Sequence, residues 1–266
     1  MTYQKITLAL DEGVALITLN DPATLNAAGI DMAVELTDAF RRIATGQVAA
    51  RAIVLTGAGK GFCSGANLQS GPASRLDVDG KPDAGVALES TYNPLVTLMR
   101  DSDIPIVTAV NGAAAGIGCS FALLGDITIA GESAYFLQAF RRIGLVPDGG
   151  ATWLLAQSAG RARAMELMLL GEKLPAPKAL DWGLINRVVP DEDVATTALA
   201  LAQDLAAGPT LALAMIRRAA WSATASNLDQ ALTTERQLQT EAAQSADFRE
   251  GVMAFFEKRV ARFTGK

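Results

Sequence analysis

Three short apolar runs, Val14 to Leu19, Ala52 to Thr56 and Ile104 to Val110, leave a chain of this kind few folds to choose from. Each is rich in β-branched and aliphatic residues along nearly its whole length, so each predicts a strand covered on both faces. Longer stretches with apolar residues at helical spacing lie between them, the first from about Gly29 to Thr45. That alternation of buried strand and helix predicts an α/β protein. From Val194 onward the strand signal stops, and helical spacing continues through Val194 to Ala207, Thr210 to Ser222, Asn227 to Ala243 and Phe248 to Phe263. The sequence thus divides into an α/β core, residues 1–205, and a helical region, residues 206–266. Ser70 to Glu89, polar and rich in Gly and Pro without a period, reads as a loop, either a surface insertion or a lid.

Charge and composition exclude several functions. A net charge of −5 gives no basic surface for nucleic acid or for an anionic membrane. No apolar run approaches the ~20 residues that cross a bilayer, and no basic leader with an apolar core opens the chain, so a cytoplasmic location is expected. The two cysteines, Cys63 and Cys119, suit a reducing compartment and read as small buried hydrophobes. The absence of histidine removes Ser-His-Asp and Cys-His catalysis and the usual neutral-pH base. Proton transfer in this chain must use Asp, Glu, Lys, Tyr or water.

Two glycine-rich turns follow predicted strands. Thr56-Gly-Ala-Gly-Lys-Gly-Phe-Cys-Ser-Gly-Ala-Asn-Leu68 lacks the Gly-Lys-Ser/Thr of a nucleotide-triphosphate loop and the glycine spacing of a dinucleotide fold. Val110-Asn-Gly-Ala-Ala-Ala-Gly-Ile-Gly-Cys-Ser-Phe-Ala122 runs on into a helix pattern. Small side chains let a ligand approach free backbone N–H groups, although close helix packing explains the second turn equally well. Together the turns suggest a pair of donors aimed at one carbonyl oxygen, a device that contributes ~3 to 4 kcal/mol per donor to a charged transition state.

With Leu19-Asn-Asp-Pro-Ala-Thr-Leu-Asn26 before them and Arg249-Glu-Gly-Val-Met-Ala-Phe-Phe-Glu-Lys-Arg259 and Phe263-Thr-Gly-Lys266 after them, these turns resemble the enoyl-CoA hydratase/isomerase (crotonase) superfamily almost end to end. The resemblance implies a spiral of ββα units with a helical C-terminal trimerisation region, assembled as a homotrimer or a dimer of trimers. It implies an acyl-CoA substrate, carried as a thioester, with no permanently bound cofactor and no metal. The N–H groups of Ala66 and Ile117 would form the oxyanion hole, Leu25 and Ser64 would lie near the coenzyme A, and Phe263 and Lys266 would reach its nucleotide from a neighbouring subunit. Gly116 and Ser120 would line the acyl pocket, and Phe136, Phe140 and Trp153 read either as its apolar wall or simply as core.

The departures select the chemistry. Hydratases of the superfamily carry two catalytic glutamates, at the places held here by Ser120 and Phe140. Asp148, in Gly144-Leu-Val-Pro-Asp-Gly-Gly-Ala-Thr-Trp153, reads from the residues alone as a helix cap. The string is similar to the isomerases of phenylacetate degradation and to dienoyl-CoA isomerases, in which the Asp at this place is the catalytic acid/base. A helix N-terminus would lower its pKa and burial would raise it. The resemblance therefore implies an isomerase with one acidic residue, moving a double bond or rearranging a ring epoxide. Hydration, thioester hydrolysis, dehalogenation and non-catalytic acyl-CoA binding stand as alternatives.

Overall fold

A computed structural model describes residues 3–67, 76–77, 79–81 and 83–266. The chain opens with a hairpin, β1 (Ile6–Asp11) and β2 (Val14–Leu19), joined by Glu12 and Gly13 at positive φ of 45° and 79°. Those values suit the two-residue turn whose twist matches that of the strands. Helix α1 (Ile30–Ala44) packs Met32, Leu36, Phe40 and Ile43 inward, and strands β3 (Ala52–Gly57) and β4 (Gly61–Cys63) follow. Next come a single turn α2 (Gly85–Ala87), a π-helical turn over Leu88–Tyr92, and α3 (Asn93–Arg100). Part of the stretch expected to be a loop is therefore helical: Ala87 is buried in the main core, and the Tyr92 hydroxyl donates to the Ala28 carbonyl at 2.7 Å. Residues 70–75, 78 and 82 of that stretch lie outside the described residues.

The centre of the fold is a repeat of strand, short strand and helix. It runs β5 (Ile106–Val110), β6 (Ala113–Ala115) and α4 (Ile117–Leu123), then β7 (Ile127–Gly131), β8 (Tyr135–Leu137) and α5 (Ala151–Leu170). After α5, which breaks at Gly160, come β9 (Lys173–Pro175), α6 (Ala176–Asp181) and β10 (Arg187–Val189). The longer strands form a six-stranded sheet in the order β1-β2-β3-β5-β7-β10, and the short ones a four-stranded sheet in the order β4-β6-β8-β9. Strands β3, β5 and β7 pair in parallel, as do β4, β6 and β8. Each turn of the chain thus adds one strand to each sheet, which is the spiral of ββα units expected above.

Both faces of the large sheet are covered, as the continuous apolar runs require. In β3, Ile53 and Leu55 enter the core shared with α1 and α3, while Ala52 and Val54 face the opposite way. That second face is closed by α7 (Val194–Ala207), whose Val194, Ala198, Ala202 and Ala206 recur every fourth residue and meet Val14, Val107 and Ile129. Alanine at this spacing lets the helix lie close to the strands, and each large aliphatic side chain buried there contributes ~1.5–3 kcal/mol.

Helices α8 (Thr210–Ala223), α9 (Leu228–Ala242) and α10 (Ala246–Glu257) complete the chain. The helix expected to run to Phe263 stops at Glu257, because Lys258 turns left-handed at φ 53°. The tail then folds back: Thr264 and Gly265 N–H donate to the buried Asp247 carboxylate at 2.7 and 2.8 Å, and Asp247 N–H donates to the Lys266 carbonyl. Among the described residues no single helix is long and apolar enough to cross a membrane.

Candidate active site

Three successive returns of the spiral meet at one place. The first leads from β3 through β4 to Ala66, the second from β5 through β6 to Ile117, and the third from β7 through β8 to Phe140 and Asp148. Gly65 takes a φ of 108°, and a Cβ there would lie 3.2 Å from the Ala115 carbonyl oxygen. Gly116 takes φ 53° and ψ −127°, where a Cβ would lie 3.6 Å from the Gly65 Cα and 3.7 Å from the Phe140 ring. Glycine is needed at both positions because a side chain would be strained at positive φ and would part the two turns. Ile117 is the first residue of α4, so its N–H has no acceptor within the helix. Neither it nor the Ala66 N–H donates to an acceptor among the described residues.

The turns are fixed from behind by two asparagines. Asn26, fully buried at φ 58°, donates to the Ala58 and Gly61 carbonyls at 2.9 and 2.8 Å and accepts from Asp21 N–H. Asn111 donates to the Gly57 and Gly59 carbonyls at 2.8 and 2.9 Å. Sequence reasoning assigned neither a role, although both lie in the quoted motifs; an Asn beside a glycine turn is the available signal.

Asp148 does not cap α5. The N-cap is Gly150, at φ 81°, preceded by Gly149 at φ 57°. The backbone carbonyl of Asp148 accepts the Ala151 N–H at 3.0 Å, while Oδ1 of its carboxyl is buried and without a hydrogen-bond partner among the described residues. Burial raises this carboxyl from 3.8 to about 6, so of the two opposed effects named above desolvation prevails. The thiols of Cys63 and Cys119 are pushed up by burial to about 11 and about 12, which leaves both protonated and unreactive at neutral pH.

The remaining residues fall into four places. Ser120 has no exposed surface and touches Asp148, and the Phe140 ring lies on Gly116. Phe136 is wholly enclosed in the main core, while Trp153 stacks on Trp221 at 5.5 Å in a cavity of about 770 Å³ bordered by Val96, Leu124 and Gly150. That cavity begins two residues beyond Asp148 and does not include Ala66, Ile117 or Asp148 in its lining. Leu25, exposed at φ 53°, and Ser64 are held together: Ser64 N–H donates to the Leu25 carbonyl and Ser64 Oγ to the Thr24 carbonyl.

Phe263 and Lys266 sit far from their own chain's turns. The Phe263 carbonyl accepts from Arg51, which precedes β3, whereas the glycine turn leaves the other end of that strand. Six residues of strand separate the two ends by ~20 Å. Arg141 and Arg142 hold the C-terminal carbonyls of α5, at Leu169 and Gly171, with no part in the turns.

The chain belongs to the enoyl-CoA hydratase/isomerase family, whose model matches residues 9–266. Among its relatives, it is 46% identical to the 1,2-epoxyphenylacetyl-CoA isomerase of Escherichia coli (strain K12), over 97% of each chain. It is also 46% identical, over 100% of both chains, to a Rhodobacter capsulatus protein named "Probable enoyl-CoA hydratase". The fold is that of the enoyl-CoA hydratase from Bacillus anthracis, with a TM-score of 0.91, 28% identity, and 99% of this chain and 100% of that one covered.

Proposed function

We propose that this enzyme is an acyl-CoA isomerase that moves a double bond, or rearranges a ring-epoxide acyl group, through an enolate. The reading is carried by one observation: Asp148, whose carboxyl is buried at Oδ1, has its main chain packed on the α4 turn through Ser120 and Gly149, where Ser120 and Phe140 bring no second carboxyl. In this reading the thioester carbonyl lies between the Ala66 and Ile117 N–H groups, which stabilise the enolate oxygen. The Asp148 carboxylate takes a proton from one carbon of the acyl chain, becomes the acid, and returns the proton to another carbon. One carboxyl suffices because no water is added. The identity shared with the Escherichia coli isomerase supports this.

Hydration is the second reading, favoured by the equal identity to the Rhodobacter capsulatus protein. The purified protein, incubated separately with crotonyl-CoA and a 3-enoyl-CoA and followed by mass and ultraviolet absorbance, separates the two. Migration of the double bond without a gain of water is the expected result; rapid hydration of crotonyl-CoA would overturn it.

The same proposal gives Leu25 and Ser64 contacts with coenzyme A. Phe263 and Lys266 would serve the nucleotide of a neighbouring copy, which suits their distance from their own turns. Residues 206–266 would form the oligomerisation region of a homotrimer or dimer of trimers. Phe255 and Phe256 there are 79% and 76% exposed, a large apolar surface for a chain in water. Two buried free cysteines suit a reducing compartment, and a cytoplasmic location is part of this reading.

A further inference from the structure

We propose that Ser120 is a positioning residue for Asp148, anchoring the main chain of the acid through its hydroxyl and, by its small size, letting that main chain lie directly on α4. This rests on the function proposed above. Ser120 Oγ donates to the Asp148 backbone carbonyl at 3.2 Å, and the same carbonyl accepts Ala151 N–H at 3.0 Å. The acid's peptide is therefore held from two sides, by α4 and by the first turn of α5. The next residue shows how tight the approach is: a Cβ at Gly149 would come 2.9 Å from Ile117 Cγ1, 3.1 Å from Ser120 Oγ and 3.2 Å from Ser120 Cβ. Such distances leave no room for a side chain at 149, or for one much bulkier than serine at 120.

The carboxyl itself is not oriented by a partner on Oδ1 among the described residues, so its aim depends on where its backbone is fixed. Ile117 and Ser120 lie three residues apart on α4 and face Gly149 together. One rigid turn of helix thus carries both the proposed oxyanion donor and the anchor of the acid, which sets the spacing between enolate oxygen and proton carrier. Misplacement by ~1 Å of a group that handles the proton costs up to ~100-fold in rate.

The test reads the anchor with and without catalysis. Asp148 is titrated by carbon-13 NMR of aspartate carboxyls in the wild type, Ser120→Ala and Ser120→Cys, with Asp148→Asn assigning the resonance. In Ser120→Ala the loosened main chain admits water, and the midpoint falls from about 6 toward 3.8. Turnover of a 3-enoyl-CoA drops roughly tenfold with KM within about twofold, since positioning acts on the transition state. Ser120→Cys, similar in shape with a weaker donor, lies between, and it decides the matter if the alanine variant fails to fold. A folded variant with the wild-type midpoint would overturn the anchor. Should the wild type turn over neither enoyl-CoA, the proposed reaction fails while the titration still judges Ser120.

Discussion

Asp148 shows how a fold can hold a carboxyl against its own preference. The unfolded chain leaves the group at its ordinary 3.8, and burial in the fold brings it to about 6. Between those values the folded form binds the extra proton, so this group's contribution to stability is fullest below pH 3.8 and is lost as pH rises through 6. Asp148→Asn removes that loss: the variant should melt higher than wild type at pH 7 to 8 and nearly alongside it at pH 4. The gain is at most ~3 kcal/mol for a shift of this size, less because the side chain is partly exposed. The same variant should lose roughly 10²- to 10⁴-fold in isomerase turnover, the usual worth of a positioned acid/base. Because the base form starts the reaction, kcat/KM of the wild type should climb with pH and level off above about 6. A stability gain combined with lost turnover would mark a residue kept for chemistry; a stability loss at neutral pH would show that the carboxylate has a partner after all.

Elements rather than residues decide how the glycine turns are brought together. Helix α4 lies so close to β4 that a Cβ at Gly118 would run into the Cys63 carbonyl and come 2.7 and 2.8 Å from Cys63 Cβ and Sγ. Gly118→Ala should therefore cost several kcal/mol, on the order of 2–4, and lower the denaturation midpoint well beyond the few tenths of a surface change. The sequence made the large-sheet strands β2, β3 and β5 legible because their residues are β-branched and buried on both faces. It hid β4 and β6, since Gly61-Phe62-Cys63 and Ala113-Ala114-Ala115 are only three residues long, carry Gly and Ala of little strand propensity, and are ordered by their neighbours. Helical spacing likewise persists through Phe263 although Lys258 ends the helix, because the tail folds back and lays the Phe263 ring against Gly251 of α10. At the site, the two glycine turns were legible as turns after strands, while Asp148 read from the residues alone as a helix cap that the structure places at Gly150. The contact between Ser120 and Asp148 was not legible, since it joins residues on two returns of the spiral.

At the scale of the molecule, the last three helices and the tail after them leave several large apolar side chains uncovered. Leu228, Phe255, Phe256 and Val260 are all widely exposed on the single chain. If these helices mediate assembly, Phe255→Asp with Phe256→Asp should shift the protein toward monomer in analytical ultracentrifugation while the circular dichroism of the core persists. An unchanged sedimentation coefficient would move the interface elsewhere. The covered face of the large sheet has a different consequence. Val14, Val54, Val107 and Ile129 wait for α7, which lies far downstream of them. A nascent chain emerging from the ribosome therefore displays a nearly finished, mostly parallel sheet with one bare side until residue 207 is clear of the exit tunnel. Stalled or truncated products that end before Val194 are then the species most in need of a holding chaperone, and expression yield of this protein should depend on how quickly that one helix is delivered.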